Sequence, residues 1–401
     1  MKAGWEIRTL GEVCDISAGQ GAPQGEDNYC LDGIPFIKAG NLEALVNGEG
    51  EQSVQKVSKE VALSHRLVLQ KKGSIVFAKS GMSCMKGYVY TLQQDCYVVS
   101  HLAILFPKSV SGLYLNYALH YFKPSSLAND ASFPSITLKD LALFPVPFPA
   151  SLQEQQRIVD ILDQEFAKID ALKANAEKSL QAAKDLFQAT LKKELEPKEG
   201  WRTSCLDDIC TIVGRIGFRG YTRNDIVSSP VDGAISLSPS NIVEGEMKYD
   251  KLTYISWFKY EESPEIKIYD GDILLVKTGS SYGKSAVIRN LPHEATINPQ
   301  LVVLKDIKID TQYLHFFLST DNARKKFDEF VSGTAIPTFS QRNLGQMVIG
   351  FPNPEKTKEI VAKLNNLRER LTSFQDNYQK TLALCDDLKQ ALLRKAFNGE
   401  L

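Results

Sequence analysis

The stretch GWEIRTLGEVC, residues 4–14, returns in altered form as GWRTSCLDDIC, residues 200–210. Both stretches begin with Gly-Trp, place Leu five residues after the Trp, and place Cys four residues after the Leu. The whole chain has only 3 Trp and 7 Cys, so chance seldom repeats both residue types at one spacing. The chain is therefore predicted to contain two copies of one structural unit.

Further segments repeat in the same order along the chain. Lys79-Ser80-Gly81 follows an apolar run, and Lys277-Thr278-Gly279 follows another at an offset of 198. At an offset of 203, Pro134, Leu141 and Phe148-Pro149 return as Pro337, Leu344 and Phe351-Pro352. The changing offset indicates small loop insertions in a tandem duplication.

After each Phe-Pro the sequence becomes rich in Glu, Lys, Gln, Leu and Ala. Residues 152–196 contain no Pro or Gly, and residues 355–401 contain neither before Gly399. Each segment is therefore predicted to form one long helix, and apolar steps of three and four predict that the two helices pair as a coiled coil. The residues predicted to form this seam or to bind partners are Leu162, Ile169, Leu180, Phe187, Leu364, Leu371, Phe374, Tyr378, Leu388 and Phe397. The alternative is a separate amphipathic helix lying on each globular domain.

The two globular halves contain short apolar runs separated by turn residues. Runs such as Ile75–Ala78 and Ile273–Val276 predict a twisted, largely antiparallel sheet, accompanied by helices such as Leu113–Phe122. The predicted fold class is α+β, with two similar globular α/β domains separated by two long antiparallel helices in a pseudo-two-fold repeat. The predicted boundaries are 1–150 and 200–353 for the globular domains, and 151–199 and 354–401 for the helices.

Composition and charge predict a soluble protein of the cytoplasm. Hydrophobic residues at 43% and charged residues at 24% are typical of a packed globular chain and exclude bulk disorder. Because the formal net charge is -1, any nucleic acid has to be met by local basic clusters. No run approaches 18 apolar residues and no C-x-x-C pair occurs, so reduced thiols and no membrane contact are predicted.

Fragments that resemble catalytic or cofactor-binding motifs lack the required spacing. Gly279–Ser285 has three residues between its glycines, whereas a phosphate-binding loop needs four. The 5 His show no metal-binding spacing, so no metal site is predicted. A nuclease using Glu265 and Lys267 is the weakest hypothesis that stays open, because the first half has no equivalent pair. The chain is thus predicted to be noncatalytic and to carry no cofactor.

Polar and basic residues gather in corresponding loops of the two halves, where they suit binding to double-stranded DNA. Arg215, Arg219 and Arg223 lie within nine residues, and such a cluster can follow phosphates or contact guanine. The corresponding first-half loop, residues 19–27, is uncharged before Glu26, so two DNA-binding halves would have to read different sequences. The other residues predicted to bind DNA are Lys79, Ser80, Lys86, Ser100, His101, Ser132, Ser135, Lys277, Thr278, Tyr282, Lys284, Asn298, Gln300, Thr338, Gln341 and Arg342. For any one of them, a loop side chain that simply faces solvent is the alternative.

Together these features resemble the DNA-specificity subunit of type I restriction-modification systems, over the whole chain. The most specific matches are Gln155-Gln156-Arg157-Ile158-Val159 and Ala396-Phe397-Asn398-Gly399-Glu400-Leu401. The duplicated Gly-Trp openings and Lys-Ser/Thr-Gly turns agree with that pattern. The second helix departs from it, because Lys356-Thr357-Lys358 stands where Gln-Gln-Arg is expected, which predicts unequal partner contacts.

The resemblance implies two target recognition domains that each read one half of a bipartite, asymmetric DNA site. It implies two methyltransferase (modification) subunits that methylate adenine N6 with S-adenosylmethionine, and restriction/translocase subunits that use ATP and Mg²⁺. Those cofactors would lie on the partner subunits. The alternative function is a duplicated helical protein-interaction scaffold without DNA readout.

Overall fold

The structure is a computed structural model that describes residues 4–129, 132–332 and 336–401. The chain divides into two compact units. Unit 1 is Met1–Ala176 with Gln379–Leu401, and unit 2 is Glu177–Tyr378. Within the described ranges, no helix combines the length and apolarity that a membrane span requires.

The domain of unit 1 is made of short strands and short helices that precede a long helix. The strands are β1 (Trp5–Thr9), β2 (Cys14–Ala18), β3 (Ile34–Ile37), β4 (Lys56–Val57), β5 (Ile75–Ala78), β6 (Val89–Thr91), β7 (Tyr97–Val98), β8 (Leu102–Pro107) and β9 (Pro145–Pro149). The helices are α1 (Leu10–Val13), α2 (Leu42–Val46), α3 (Lys59–Ser64), α4 (Gly112–Phe122), α5 (Leu138–Ala142) and α6 (Leu152–Leu195). Single 3-10 turns lie at Glu26–Asn28, Ala39–Asn41, Glu51–Ser53, Met82–Lys86 and Pro124–Leu127.

The sheets of unit 1 are largely antiparallel, as predicted. β2, β8, β5 and β6 pair in that order, all antiparallel. In a second sheet β3 pairs with β4 antiparallel and with β7 in parallel. β1 pairs with β9, so Trp5 lies opposite Pro149 immediately before α6 begins.

β5 is apolar at every position because its two faces cover different cores. Ile75 and Phe77 belong to one hydrophobic cluster, whereas Val76 and Ala78 belong to another. This alternation is what the pleat of a strand imposes on successive side chains. A strand buried on both faces is held firmly, and it fixes the loop that follows Ala78.

Both long helices contribute to the first of these cores. Ile158 and Leu162 of α6 join it, together with Leu393 and Phe397 of α12 (Pro354–Phe397). The Phe397 ring stacks on Tyr121 with the ring centroids 5.3 Å apart. Leu162 and Phe397, both predicted for a helix seam or a partner surface, are buried in this core, to which both long helices contribute, so neither side chain is open to a partner subunit.

Within unit 1 the two helix segments run antiparallel. Lys173 contacts Asp386 at 2.6 Å, and Lys389 contacts Asp170 at the same distance, so rising numbers on α6 meet falling numbers on α12. Ile169 is 5% exposed, in agreement with its predicted place in a seam. Leu388 is half-exposed, so it does not lie in the seam, and its alternative role in partner binding stays a prediction.

Unit 2 repeats the same kinds of element. Its strands are β10 (Arg202–Cys205), β11 (Thr211–Gly214), β12 (Ile226–Val227), β13 (Gly233–Leu237), β14 (Ile242–Val243), β15 (Glu246–Met247), β16 (Tyr254–Ser256), β17 (Ile273–Val276), β18 (Ser285–Val287), β19 (Ala295–Ile297), β20 (Leu301–Lys305) and β21 (Val348–Phe351). Its short helices are α7 (Leu206–Ile209), α8 (Trp257–Glu261), α9 (Thr311–Leu318), α10 (Asp321–Phe330) and α11 (Gln341–Gly345). Its 3-10 turns lie at Gly217–Arg219, Arg223–Asp225, Pro239–Asn241 and Pro264–Ile266.

The topology of unit 2 confirms the predicted duplication. β11, β20, β17 and β18 pair in the order of β2, β8, β5 and β6, and β13 pairs with β19 in parallel as β3 does with β7. Even a buried hydroxyl is repeated: Tyr114 donates to Pro147 O over 3.0 Å, and Tyr313 donates to Gly350 O over 2.8 Å. These bonds tie α4 and α9 to the strands that precede the long helices.

The copies differ where the predicted insertion falls. The offset is 199 between Tyr114 and Tyr313 but 203 between Pro134 and Pro337. Between these positions unit 2 has the ten-residue α10, whereas unit 1 has the short turn Pro124–Leu127. The extra residues thus extend one connection and leave the sheet order unchanged.

The helix segments of unit 2 also pack on their domain. Phe187 and Leu364 belong to its core cluster, and Leu371 packs against that cluster. Glu194 accepts from Lys363 at 2.6 Å. Of the other predicted seam residues of this unit, Leu180 and Tyr378 are partly buried. Phe374 is half-exposed, which corrects its prediction as a seam residue, while its alternative role in partner binding stays a prediction.

Candidate nucleic-acid interface

Three loops of unit 1 meet at one surface, which we call the first loop junction. It comprises residues 79–81, 100–101 and 132–136, and Lys79 N–H donates to His101 O at 2.9 Å. The junction brings together the predicted residues Lys79, Ser80, Ser100, His101, Ser132 and Ser135. Sequence reasoning therefore identified segments that do lie together, although they are separated by up to 50 residues in the chain.

Backbone hydrogen bonds fix the first loop junction. Gly81 N–H donates to Pro134 O at 2.8 Å, and Ile136 N–H donates to Lys79 O at 2.7 Å. Gly81 has a φ of +75°, a conformation that favours Gly in the sharp turn after β5. Because these bonds use the main chain, the side chains of the junction can vary without loss of the scaffold.

The side chains of the first junction combine a cation, hydroxyls and an imidazole. Ser80 Oγ lies 2.9 Å from His101 Nδ1, and His101 is exposed. Lys79 and Ser100 are partly buried. Hydroxyl, imidazole and ammonium groups all form hydrogen bonds to base edges or phosphates.

Unit 2 has an equivalent surface, which we call the second loop junction. It comprises residues 277–279, 298–300 and 336–339, and Gly279 N–H donates to Pro337 O at 2.9 Å. It brings together the predicted residues Lys277, Thr278, Asn298, Gln300 and Thr338. The same main-chain frame therefore carries a different set of side chains in each copy.

Hydroxyl and amide groups dominate the second junction. Thr278 Oγ1 lies 2.8 Å from Thr338 Oγ1, and Gln300 N–H donates to Asn298 Oδ1 at 3.0 Å. The Gln300 side chain is exposed. Burial lowers the pKa of Lys277 below its ordinary value. An ammonium that is already partly desolvated gains more from meeting an anion than one in bulk water does.

Three further predicted residues lie outside the junctions, and two of them already have partners. Lys86 contacts Glu43 at 2.9 Å in the turn that follows the first junction. Tyr282 donates to Asp328 at 2.7 Å in the corresponding part of unit 2. Lys284 is exposed next to β18. Their role in DNA binding stays a prediction, and for Lys86 it requires loss or sharing of the Glu43 contact.

Arg215 lies inside the fold and is not a free surface cation. It is 5% exposed, and its Nε donates to Ile297 O at 3.0 Å while its Nη2 donates to Thr296 Oγ1 at 3.1 Å. The same burial lowers its pKa from the usual arginine value. We therefore correct its prediction as a DNA contact: Arg215 holds the basic loop against β19.

The other residues of this loop are more accessible. Arg219 lies 3.5 Å from Glu265, whereas Arg223 is exposed. Gln341 packs so closely against Gly214 that an added Cβ there would clash with Gln341 Nε2. Arg342, the next residue on α11, is exposed. Arg223 and Arg342 are thus the predicted arginines that the fold leaves open to an anionic partner.

The geometry does not favour a nuclease at Glu265 and Lys267. Glu265 faces Arg219, and Lys267 is paired with Glu261. Among the residues that the structure describes, no group of three or more His, Cys, Asp or Glu could hold a metal ion. A hydrolytic centre of metal-bound carboxylates therefore has no support here.

Sequence reasoning missed two apolar side chains at the junctions. Phe133 is 67% exposed and Ile336 is 64% exposed, although both stand beside polar loop residues. The signal was present, because each precedes a Pro of the 203-residue repeat, Pro134 or Pro337. Only the fold shows that these side chains point out of the cores.

Comparison with protein families gives one match over both copies. The model described as "Type I restriction modification DNA specificity domain" matches residues 2–182 and 198–380. Each matched stretch takes in one globular domain and part of the helix that follows it. The comparison thus detects the same duplication as the sequence and the fold.

Specificity subunits from two organisms match nearly the whole of this chain. The chain is 24% identical over 429 residues to the type I restriction enzyme EcoKI specificity subunit of Escherichia coli strain K12, covering 99% of this chain and 89% of that protein. It is 21% identical over 426 residues to the MjaIX specificity subunit of Methanocaldococcus jannaschii, covering 99% and 93%.

Solved structures share the fold over the whole chain. A chain from a study of complex assembly and conformational transition of the type I R-M system gives a TM-score of 0.75 at 16% identity, covering 100% of this chain and 99% of that one. The HsdS subunit from Thermoanaerobacter tengcongensis gives 0.57 at 17% identity, covering 100% and 98%.

Proposed function

The chain belongs to the family of type I restriction modification DNA specificity domains, and from that premise we propose that it is the DNA-reading subunit of a type I restriction-modification complex. Each loop junction reads one half of a bipartite, asymmetric site. The relatives carry the name of specificity subunits, which agrees with this role.

One observation carries the proposal: the two junctions keep the main-chain frame and change the side chains. Gly81 and Gly279 make the same bond to a Pro carbonyl. The hydroxyl after each Lys, in contrast, meets His101 in unit 1 and Thr338 in unit 2. Two like frames with unlike donors and acceptors suit two unlike DNA sequences, because base edges are distinguished by their hydrogen-bond pattern.

The chemistry of the complex is proposed to lie on partner subunits. Two methyltransferase subunits bring S-adenosylmethionine and transfer the methyl group to adenine N6. Restriction/translocase subunits bring ATP and Mg²⁺ for translocation and cleavage. This chain then contributes recognition and no catalytic group, which is consistent with the engaged side chains of Glu265 and Lys267.

Adenine-methylation mapping tests the proposal. The native genome is mapped with the gene for this chain present and deleted, and a methylated motif of two separated, unlike blocks is expected to disappear on deletion. The motif duplex is then bound to the complex of this chain with its methyltransferase subunits. The proposed function predicts that the double variant Lys79→Ala with Lys277→Ala binds that duplex more weakly. A scaffold without DNA readout predicts instead that the same double variant leaves all DNA association unchanged.

A further inference from the structure

The two loop junctions present an apolar side chain at the same repeat position. Residues 132–137 read SFPSIT, and residues 335–340 read AIPTFS. Both share the order apolar residue, Pro, hydroxyl, apolar residue, hydroxyl. The first apolar residue, Phe133 or Ile336, is about two-thirds exposed.

The second apolar residue of each segment anchors it. Ile136 and Phe339 are each 3% exposed and lie in the domain cores. The next hydroxyl caps a helix, since Thr137 accepts from Asp140 N–H at 3.1 Å and Ser340 accepts from Asn343 N–H at the same distance. An anchored and capped segment cannot easily turn Phe133 inward.

The junction bonds restrain these segments from the other side. Pro134 O accepts from Gly81 and Pro337 O accepts from Gly279, so the exposed side chain stands one residue from a fixed point. Isolated exposed apolar residues are common on proteins and carry no meaning singly. Here the exposure recurs in two copies whose neighbouring side chains have changed, at the surface that the proposed function assigns to DNA.

We propose that Phe133 and Ile336 make apolar contacts with DNA bases, one in each half-site. This inference rests on the proposed function and names the residues by which it operates. Phosphates offer nothing to an apolar side chain, and the neighbouring Lys79 and Lys277 suit that role instead. Phe and Ile are residue types that pack on the thymine methyl group or wedge against a base step.

Phe133 and Ile336 also give the two loop junctions different surface shapes. Phe133 presents a flat ring, whereas Ile336 presents a compact branched group. A ring can stack on a base, and a branched group packs better beside a methyl. The pair therefore contributes to the unlike specificity of the two junctions.

Serine variants test the contacts in the complex of this chain with its methyltransferase subunits. The probe is a fluorescent duplex with the motif found by methylation mapping, and a duplex of equal length without the motif is its control. Phe133→Ser and Ile336→Ser are each expected to weaken motif binding about 10- to 100-fold, with the other duplex changed less than about twofold. The dependence of affinity on salt is expected to stay the same, since no phosphate contact is lost.

Two matched variants control for loss of an exposed apolar group. Leu63→Ser in unit 1 and Val231→Ser in unit 2 remove largely exposed apolar side chains outside the junction segments, and both are expected to bind as the unaltered chain does. All four variants should melt within about 2 °C of it, because surface changes cost little.

The outcomes separate this inference from the proposed function. If the unaltered complex fails to prefer the motif duplex, the proposed function is wrong. If it prefers that duplex and the Phe133→Ser and Ile336→Ser complexes prefer it equally, only the base contacts are overturned. An equally large loss of motif binding in the Leu63→Ser or Val231→Ser control also overturns the proposed base contacts.

Modified duplexes then identify the atoms contacted. Uracil in place of thymine removes the methyl group, and 2-aminopurine brightens when its base unstacks. A methyl contact predicts weaker binding of the uracil duplex, whereas a wedge predicts brighter 2-aminopurine with the unaltered chain than with the Ser variant. An effect in neither duplex contradicts a base contact.

Discussion

Gln155 shows how a family signature can be structural. Its Oε1 accepts from Ser111 N–H at 2.8 Å, and its Nε2 donates to Pro149 O at 2.9 Å, so one buried amide ties α6 to α4 and β9. In unit 2 the corresponding region, at the start of α12, has Thr357. Its hydroxyl donates to Asn353 O at 3.0 Å, so this bond stays local to the start of that helix. The departure from Gln-Gln-Arg therefore changes how the helix is anchored, whatever it does to partner contacts.

At the residue scale, sequence reasoning succeeded where position followed the repeat and failed where burial decided. Lys79 and Lys277 occupy matching places in the two loop junctions, as the repeat predicted, and their contact with DNA stays a prediction. Arg215 was misassigned because a basic loop in sequence looks the same whether its arginine faces solvent or a carbonyl. Its acceptors, Thr296 and Ile297, lie about 80 residues away and give no local signal.

Arg215 and Arg223 are expected to respond oppositely to substitution by Ala. Arg215→Ala leaves buried acceptors without their donor and is expected to lower the free energy of unfolding by about 2–4 kcal/mol, measured in urea. Arg223→Ala is expected to leave that free energy within about 0.5 kcal/mol. It should instead weaken DNA binding on all sequences and reduce the salt slope by about 1. A stable Arg215→Ala protein with reduced salt slope would restore Arg215 as a phosphate contact.

At the scale of elements, the first long helix was predicted almost to the residue, whereas α12 ends at Phe397, four residues before the predicted end at Leu401. α6 ends at Leu195 and was predicted to end at Glu196, because uninterrupted helix formers bounded by Pro leave little choice. The apolar stripe was less informative. It mixes residues that meet the other helix with residues that enter a domain core, and the 3.6-residue period gives no sign of which neighbour each one meets.

Ile169 and Leu172 show that residues of the same apolar stripe differ in burial. Both follow its spacing, but Ile169 is 5% exposed and Leu172 is 53% exposed. Ile169→Ala is expected to lower the free energy of unfolding by about 2–4 kcal/mol, because it removes a buried group. Leu172→Ala should change it by less than about 0.5 kcal/mol, since Ala also suits a helix. Urea unfolding of the purified variants measures both, and equal losses would mean that burial does not distinguish the positions.

At the scale of the whole molecule, the predicted domain boundaries fall at other residues than the limits of the compact units. The boundary at residue 200 follows the repeat, whereas unit 2 begins at Glu177 because Phe187 and its neighbours on α6 belong to the core of the second domain. The duplication itself was evident from sequence. The sharing of helix residues with the domain cores was not, since it depends on which side chains the folded domain leaves uncovered.

Exchange of the second domain should depend on this sharing. We expect a chimera that replaces residues 177–378 with the matching segment of a relative to melt several degrees higher than one that replaces only 200–353. The shorter exchange sets a foreign core against Phe187, Leu191 and Leu364, and each mismatch costs about 1–2 kcal/mol. Thermal melting ranks the chimeras, and methylation mapping should show one altered block of the motif. Equal melting would mean that the helix residues contribute little to that core.

Unit 1 is assembled from the two ends of the numbering, with Leu10 and Phe397 in a single core, whereas unit 2 is one uninterrupted stretch. The ribosome synthesises a polypeptide from its amino end. All residues of unit 2 are therefore synthesised before the last residues of unit 1. The earlier-made portion must wait, with apolar surface uncovered, until residues 393–397 arrive. The second unit is thus expected to be complete before the first during synthesis, the reverse of the usual amino-to-carboxyl order.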